Sequence, residues 1–199
     1  MCSVCGDPFP GAGPDHLCNR CLTRRPSFGV ARACATYVSG DGDAGPLARA
    51  LQRYKYVPDL SLAPVLARLM RQRAPSALTP YDVIVPVPLH ISRLRWRGFN
   101  QAQLLAGELG RRPPVPVDPF AIERVRATVP QVELDTTARR RNVVRAFRVA
   151  KPSRVRDRRI LLIDDVYTTG ATADECSRAL LRAGAAHVDV LVLARAVLR

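Results

Sequence analysis

Apolar positions along the chain follow two rhythms. Residues 159–166 (RILLIDDV) and 187–195 (HVDVLVLAR) are short, nearly continuous apolar runs, the pattern of strands covered on both faces. Between them, residues 170–184 (GATADECSRALLRAG) read as a helix ending at Gly184, where a C-terminal turn calls for positive φ. Strand, helix and strand make a β-α-β unit of parallel strands. The alternation extends upstream. Strands are expected at 30–40, ending in a turn rich in Gly and Asp, at 81–88, stopped by prolines, and at 120–127. Helices are expected at 46–56, 59–73 and 100–110. In the second, Leu62, Val65, Leu66 and Leu69 recur at helical spacing, and Asp59 or Ser61 caps it. Residues 74–80 read as a linker, 111–119 as a loop with extended character, and 135–147 as a basic helix or partly ordered loop. Alternating strands and helices imply an α/β fold with a mostly parallel sheet flanked by helices.

Composition narrows the classes. The 199 residues suffice for one ordinary domain, or a medium domain with a small appendage, and 47% apolar content argues against disorder. A net charge of +14 favours anionic partners such as nucleic acid or phosphorylated metabolites. Lysine stands only at Lys55 and Lys151; the arginine bias can reflect genome composition, but exchanging Lys for Arg creates no net charge. No apolar stretch suits a signal peptide, and none approaches the roughly 20 residues of a spanning helix. The expectation is a soluble, cytoplasmic chain without membrane insertion.

Cys2, Cys5, Cys18 and Cys21 form two C-x2-C hooks. In a reducing compartment this pattern points to metal before disulfides, and four thiolates close the tetrahedron of a structural Zn2+ site. Four cysteines leave no open position for catalysis. His16 reads as a loop residue rather than a ligand, and Cys176 as core.

ILLIDDVYTTGATADE (160–175) carries the candidate chemistry. Asp164 and Asp165 lie at the carboxyl end of a buried strand, where open α/β sheets place ligands. Thr168, Thr169, Gly170, Ala171 and Thr172 turn into the next helix, whose unpaired N–H groups and dipole favour an anion. Carboxylates repel a phosphate, so they suit a neighbouring part of the same ligand: sugar hydroxyls, or Mg2+ and its waters. A P-loop is excluded because no lysine follows Gly170, and no strand leads into G-x-G-x-x-G.

ILLIDDVYTTGAT resembles the phosphoribosyl pyrophosphate (PRPP) signature of type I phosphoribosyltransferases. The four-cysteine finger, YKY (54–56), VPVPLHISRLRWRGFNQAQLLA (85–106) and QVELDTTARRRNVVRAF (131–147) are together similar to the ComF family of competence-associated proteins. The resemblance implies a zinc ribbon over 1–27 and a type I phosphoribosyltransferase-like domain over 28–199, with hood elements within 28–60 and 120–150. It gives Asp164 and Asp165 the ribose hydroxyls and Thr168–Thr172 the 5′-phosphate. Pro88, Leu89 and His90 fall in the pyrophosphate loop, followed by Arg97, Gly98 and Asn100, while Gln131, Arg139 and Asn142 fall in the hood. The implied activity is transfer of ribose 5-phosphate from PRPP, with Mg2+, to an acceptor.

A different class stays open. Arg93, Arg95 and Arg97 are either cations available for a diphosphate or a solvated basic loop, and Trp96 among them either stacks on a base or simply packs. Arg140, Arg141, Arg145 and Arg148, with the basic stretch after Lys151, suit a phosphate backbone. Such a chain would bind single-stranded DNA or a DNA-handling protein without catalysis. A regulator that senses PRPP is a third possibility.

Overall fold

The computed structural model describes residues 1–9, 13–39, 45–57, 59–73, 80–111, 114–128 and 136–198. The Gly/Asp-rich turn after residue 39, most of the 74–80 linker and Gln131 lie outside the described residues.

Four strands form one parallel sheet: β1 (Ala31–Ser39), β2 (Val83–Pro86), β5 (Arg159–Tyr167) and β6 (His187–Leu198), in the order β1-β6-β5-β2. The expected parallel α/β architecture is thus present. Alternation along β5 sends Ile160 and Leu162 to one face and Leu161 and Ile163 to the other. Both faces are covered, which is why the run is continuously apolar.

One layer consists of α2 (Gly45–Tyr56), α3 (Leu62–Arg73) and α5 (Gln101–Leu109), packed on Ile84, Leu161, Ile163, Leu191 and Leu193. The other joins α7 (Ala171–Arg182), the cysteine-rich segment with α1 (Asn19–Thr23), and a small antiparallel pair, β3 (Glu123–Arg124) with β4 (Phe147–Arg148). The remaining helices are α4 (Ile91–Arg97) and α6 (Thr136–Val143).

Three local readings change. In α3, Val65 is exposed, while Ala63, Leu66, Ala67 and Met70 are buried; the small alanines let the helix lie close to the sheet. The strand expected at 120–127 shrinks to Glu123–Arg124, because Asp118 Oδ1 accepts from the Phe120 N–H (2.9 Å) and folds the preceding residues into a turn. The expected basic loop at 93–97 is helix α4, capped by His90 Nδ1 accepting from Ser92 N–H (3.3 Å) and ended by Gly98 at φ +82°.

Candidate functional site

β5 carries Asp164 and Asp165 at its C-terminal end, both half-buried. Their adjacency puts them on opposite faces of the sheet. Asp165 turns to the layer of α2, where Lys55 Nζ lies 3.0 Å from its Oδ2. Asp164 turns to the layer of α7 and β3, where Cys176 and Arg124 both sense its charge. Asp164 Oδ1 also accepts from the Asp165 N–H (2.9 Å). Burial, reinforced by the charge of Asp165, pushes the Asp164 carboxyl up to about 7.

Thr168 and Thr169 lead into Gly170, the N-cap of α7, at φ +78°. An added Cβ there would lie 2.5 Å from Tyr167 Cζ, so both the backbone angle and the space require glycine. Asp164, Thr168, Gly170, Ala171, Thr172 and Val192 line one small hollow, placing a carboxylate beside the start of a helix.

The loop after β2 is tied to the same strand end. Val87 N–H donates to Ile163 O (2.9 Å), so Pro88, Leu89 and His90 follow directly beside the acids. Asn100 Nδ2 donates to Val87 O (3.0 Å), and its Oδ1 caps α5 by accepting from Ala102 N–H (3.0 Å). His90 bridges to Arg124, which brings β3 against this loop. The Arg97 guanidinium lies 5.5 Å from the Tyr56 ring and 5.9 Å from the Trp96 ring, and senses Asp165. Arg139 and Asn142 lie in α6, and the Asn142 carbonyl accepts from Arg126 (2.9 Å). Arg140 and Arg141, with Arg24 and Arg178, line a cleft of about 310 Å³ between α6, α7 and the cysteine-rich segment.

The four N-terminal thiols are buried, unoxidised and within 4.8 Å of one another. Cys5 and Cys18 Sγ are 3.7 Å apart, close to the roughly 3.8 Å edge of a tetrahedron with 2.3 Å metal–sulfur bonds. Burial pushes the Cys5 thiol up to about 11 and raises that of Cys21. At Cys2 burial is outweighed by backbone N–H groups, chiefly that of Cys18, which lower it to about 6. A metal ion resolves that crowding by displacing the protons, and the thiolate set fits one. His16 stays out of the cluster, exposed and stacked on Phe9. Among the described residues no helix is long and apolar enough to cross a membrane.

The structure therefore gathers Asp164, Asp165, the 168–172 turn and the 88–100 segment at one end of the sheet. It adds Lys55 and Arg124, which motif reading did not select. Lys55 sat in a quoted motif, whereas nothing local marks Arg124.

No family model matches the chain. The DNA utilization protein YhgH of Salmonella typhimurium is 37% identical over 201 residues, covering 98% of this chain and 84% of that protein. Competence protein F of Haemophilus influenzae is 34% identical over 185 residues, 90% of this chain and 78% of that one. The chain belongs to the ComF family. A third ComF relative, competence protein ComFC of Bacillus subtilis, is 38% identical over 57% of this chain and 44% of its own. Among solved structures, this ComF chain is similar to a glutamine PRPP amidotransferase from B. subtilis complexed with ADP and GMP. That likeness has a TM-score of 0.47 and 18% identity over 67% of this chain, and spans only 26% of the amidotransferase. It is also similar to a Mycobacterium tuberculosis orotate phosphoribosyltransferase in complex with PRPP, with a TM-score of 0.38, 21% identity, and 78% and 90% coverage. Both likenesses are too distant to assign a residue.

Proposed function

We propose that this ComF protein binds PRPP or a related ribose phosphate and transfers ribose 5-phosphate to an acceptor with release of pyrophosphate. The observation that carries the reading is the hollow in which Asp164 and the start of α7 face one ligand space. The helix start takes the 5′-phosphate through Thr168–Thr172. Asp164 and Asp165 accept from the ribose hydroxyls. Pro88, Leu89 and His90, with Arg97, Gly98 and Asn100, hold the pyrophosphate, and Gln131, Arg139 and Asn142 belong to the cover. Mg2+ arrives on the diphosphate, since two carboxylates on opposite faces make a poor cage by themselves. Zn2+ closes the ribbon and takes no part in the transfer. Rate enhancement is positional and electrostatic: the site holds the sugar while C1 gains positive character and the leaving group gains negative charge. Calorimetric titration with PRPP and Mg2+ tests binding, and isotope-traced pyrophosphate release with candidate bases tests transfer. Absence of affinity for any ribose phosphate sinks the reading.

A second reading, a module that binds single-stranded DNA, is supported by the arginine-lined cleft between the ribbon and α6, and by relatives named for competence and DNA utilization. It requires steeply salt-dependent DNA binding that falls in Arg140→Gln with Arg141→Gln and survives in Asp164→Asn.

A further inference from the structure

Strand β6 is apolar almost throughout its buried part, yet holds Arg195 at 2% exposure. A buried guanidinium is costly unless partnered, and its partners are informative. Arg195 donates to the Cys5 carbonyl in the first cysteine hook and to Asp7 Oδ1 (3.2 Å), while the other Asp7 oxygen, Oδ2, accepts from Arg20 (2.9 Å). Its Cζ stands 4.1 Å from the centroid of the Tyr167 ring. Tyr167 is the last residue of β5, and its ring fills the space a Gly170 side chain would need. Phe28 also meets that ring edge-on, with centroids 6.5 Å apart. One residue before, Ser27 N–H donates to Asp174 Oδ1 (2.7 Å) in the first turn of α7. An unbroken physical path thus runs from the metal knuckle through a guanidinium and a ring to the turn that opens α7.

We propose that Arg195 and Tyr167 are positioning residues that make the shape of the 168–172 turn depend on metal occupancy of the cysteine cluster. With the metal bound, the Cys5 carbonyl is fixed, Arg195 is held over Tyr167, and the ring braces Gly170 in its left-handed conformation. Without it, the Cys5 carbonyl and Asp7 lose their fixed place and the brace slackens. If the turn takes a phosphate, as proposed above, metal and phosphate reinforce each other's binding, because coupling between two sites is reciprocal. The ribbon is then part of the ligand site's architecture rather than an appendage.

Amide hydrogen exchange on the full chain tests the brace without any ligand. Exchange at the amides of Ser27 and Asp174, which close this turn by donating to Asp174 Oδ1 (2.7 Å) and Gly170 O (2.9 Å), is expected to accelerate at least tenfold on chelating the metal, and by more than at Leu161–Ile163 in the core. The same acceleration is expected in metal-loaded Arg195→Met and Tyr167→Leu, whereas Tyr167→Phe, which keeps the ring, stays protected. Unchanged exchange of the turn in metal-loaded Arg195→Met and Tyr167→Leu overturns the proposal. So does acceleration that spreads equally over the core in those variants. Ribose 5-phosphate supplies a separate arm: it should slow metal release to a chelator at least threefold in the native chain and not in Tyr167→Leu. A turn that responds to the metal in a protein with no affinity for ribose 5-phosphate upholds the brace and removes the phosphate reading instead. Ligand that binds the native chain without slowing metal release overturns the coupling.

Discussion

Lys55 Nζ and Asp165 Oδ2 lie 3.0 Å apart, joining α2 to the tip of β5. The pair occupies one of the two carboxylates that the proposed ligand needs. Burial pulls the Lys55 ammonium down, but the charge and hydrogen bond of Asp165 outweigh it and hold the group above its ordinary value. A raised lysine contributes stability that is fully present below its unfolded value of about 10.4 and is lost as pH rises through the folded one. Lys55→Met should cost about 1–2 kcal/mol, less than a fully buried pair because both side chains are partly exposed. Urea melts at pH 8 and pH 11 check this: the gap between native and variant should narrow at the higher pH.

Asp164 has the same pH direction for a different reason. Its carboxyl is raised to about 7, so the folded state holds a proton that the unfolded chain releases near 3.9. Its contribution is greatest below the unfolded value and is lost as pH rises toward 7. Between pH 5.5 and 8.5 the native protein should lose on the order of 2 kcal/mol relative to Asp164→Asn. Chemical denaturation of both proteins at the two pH values measures the difference, and parallel curves would contradict it.

Gly170→Ala and Gly107→Ala should move in opposite directions. The first forces a side chain onto a left-handed residue against Tyr167, and should cost about 1–3 kcal/mol. It should also weaken ribose 5-phosphate binding at least tenfold. Gly107 lies inside α5 with no atom within 4 Å of an added Cβ, so alanine there should stabilise by about 0.5–1 kcal/mol. Thermal melts with calorimetric titration of ribose 5-phosphate decide both.

The cysteine cluster shares its core with Ala31, Val190 and Val192 of the sheet. Metal loss should therefore lower one cooperative transition rather than release an independent finger. Elemental analysis should return one zinc per chain. Cys21→Ser should lose it, with melting reduced on the order of 10 °C for a loss of about 3 kcal/mol. A separate early transition with the main one unmoved would show the ribbon unfolding alone.

Where periodicity and chemistry coincided, the sequence was readable. Ile160–Ile163 followed by two acids, hydroxyls and Gly170 announced a strand and a helix start, and both elements stand there. Readings that depended on distant partners were not available. Val65 and Leu66 look equivalent on a helical wheel, and only the sheet decides which one is covered. Arg124 and Arg195 sit among ordinary strand residues; their meaning comes from β5 and from a cysteine hook some 190 positions away. His90 and Gly98 were legible as loop residues, but their capping roles turn the basic stretch between them into α4.

All four strands of the main sheet run the same way, so the proposed ligand site takes one end of the sheet and leaves the other plain. The plain end is closed by the paired turns at Asp157 and Gly184, where Asp157 N–H donates to Gly184 O (2.8 Å) and Ala186 is exposed. A dye, surface anchor or fused reporter placed at Ala186 hangs off the back of the sheet, leaving the front open for titration.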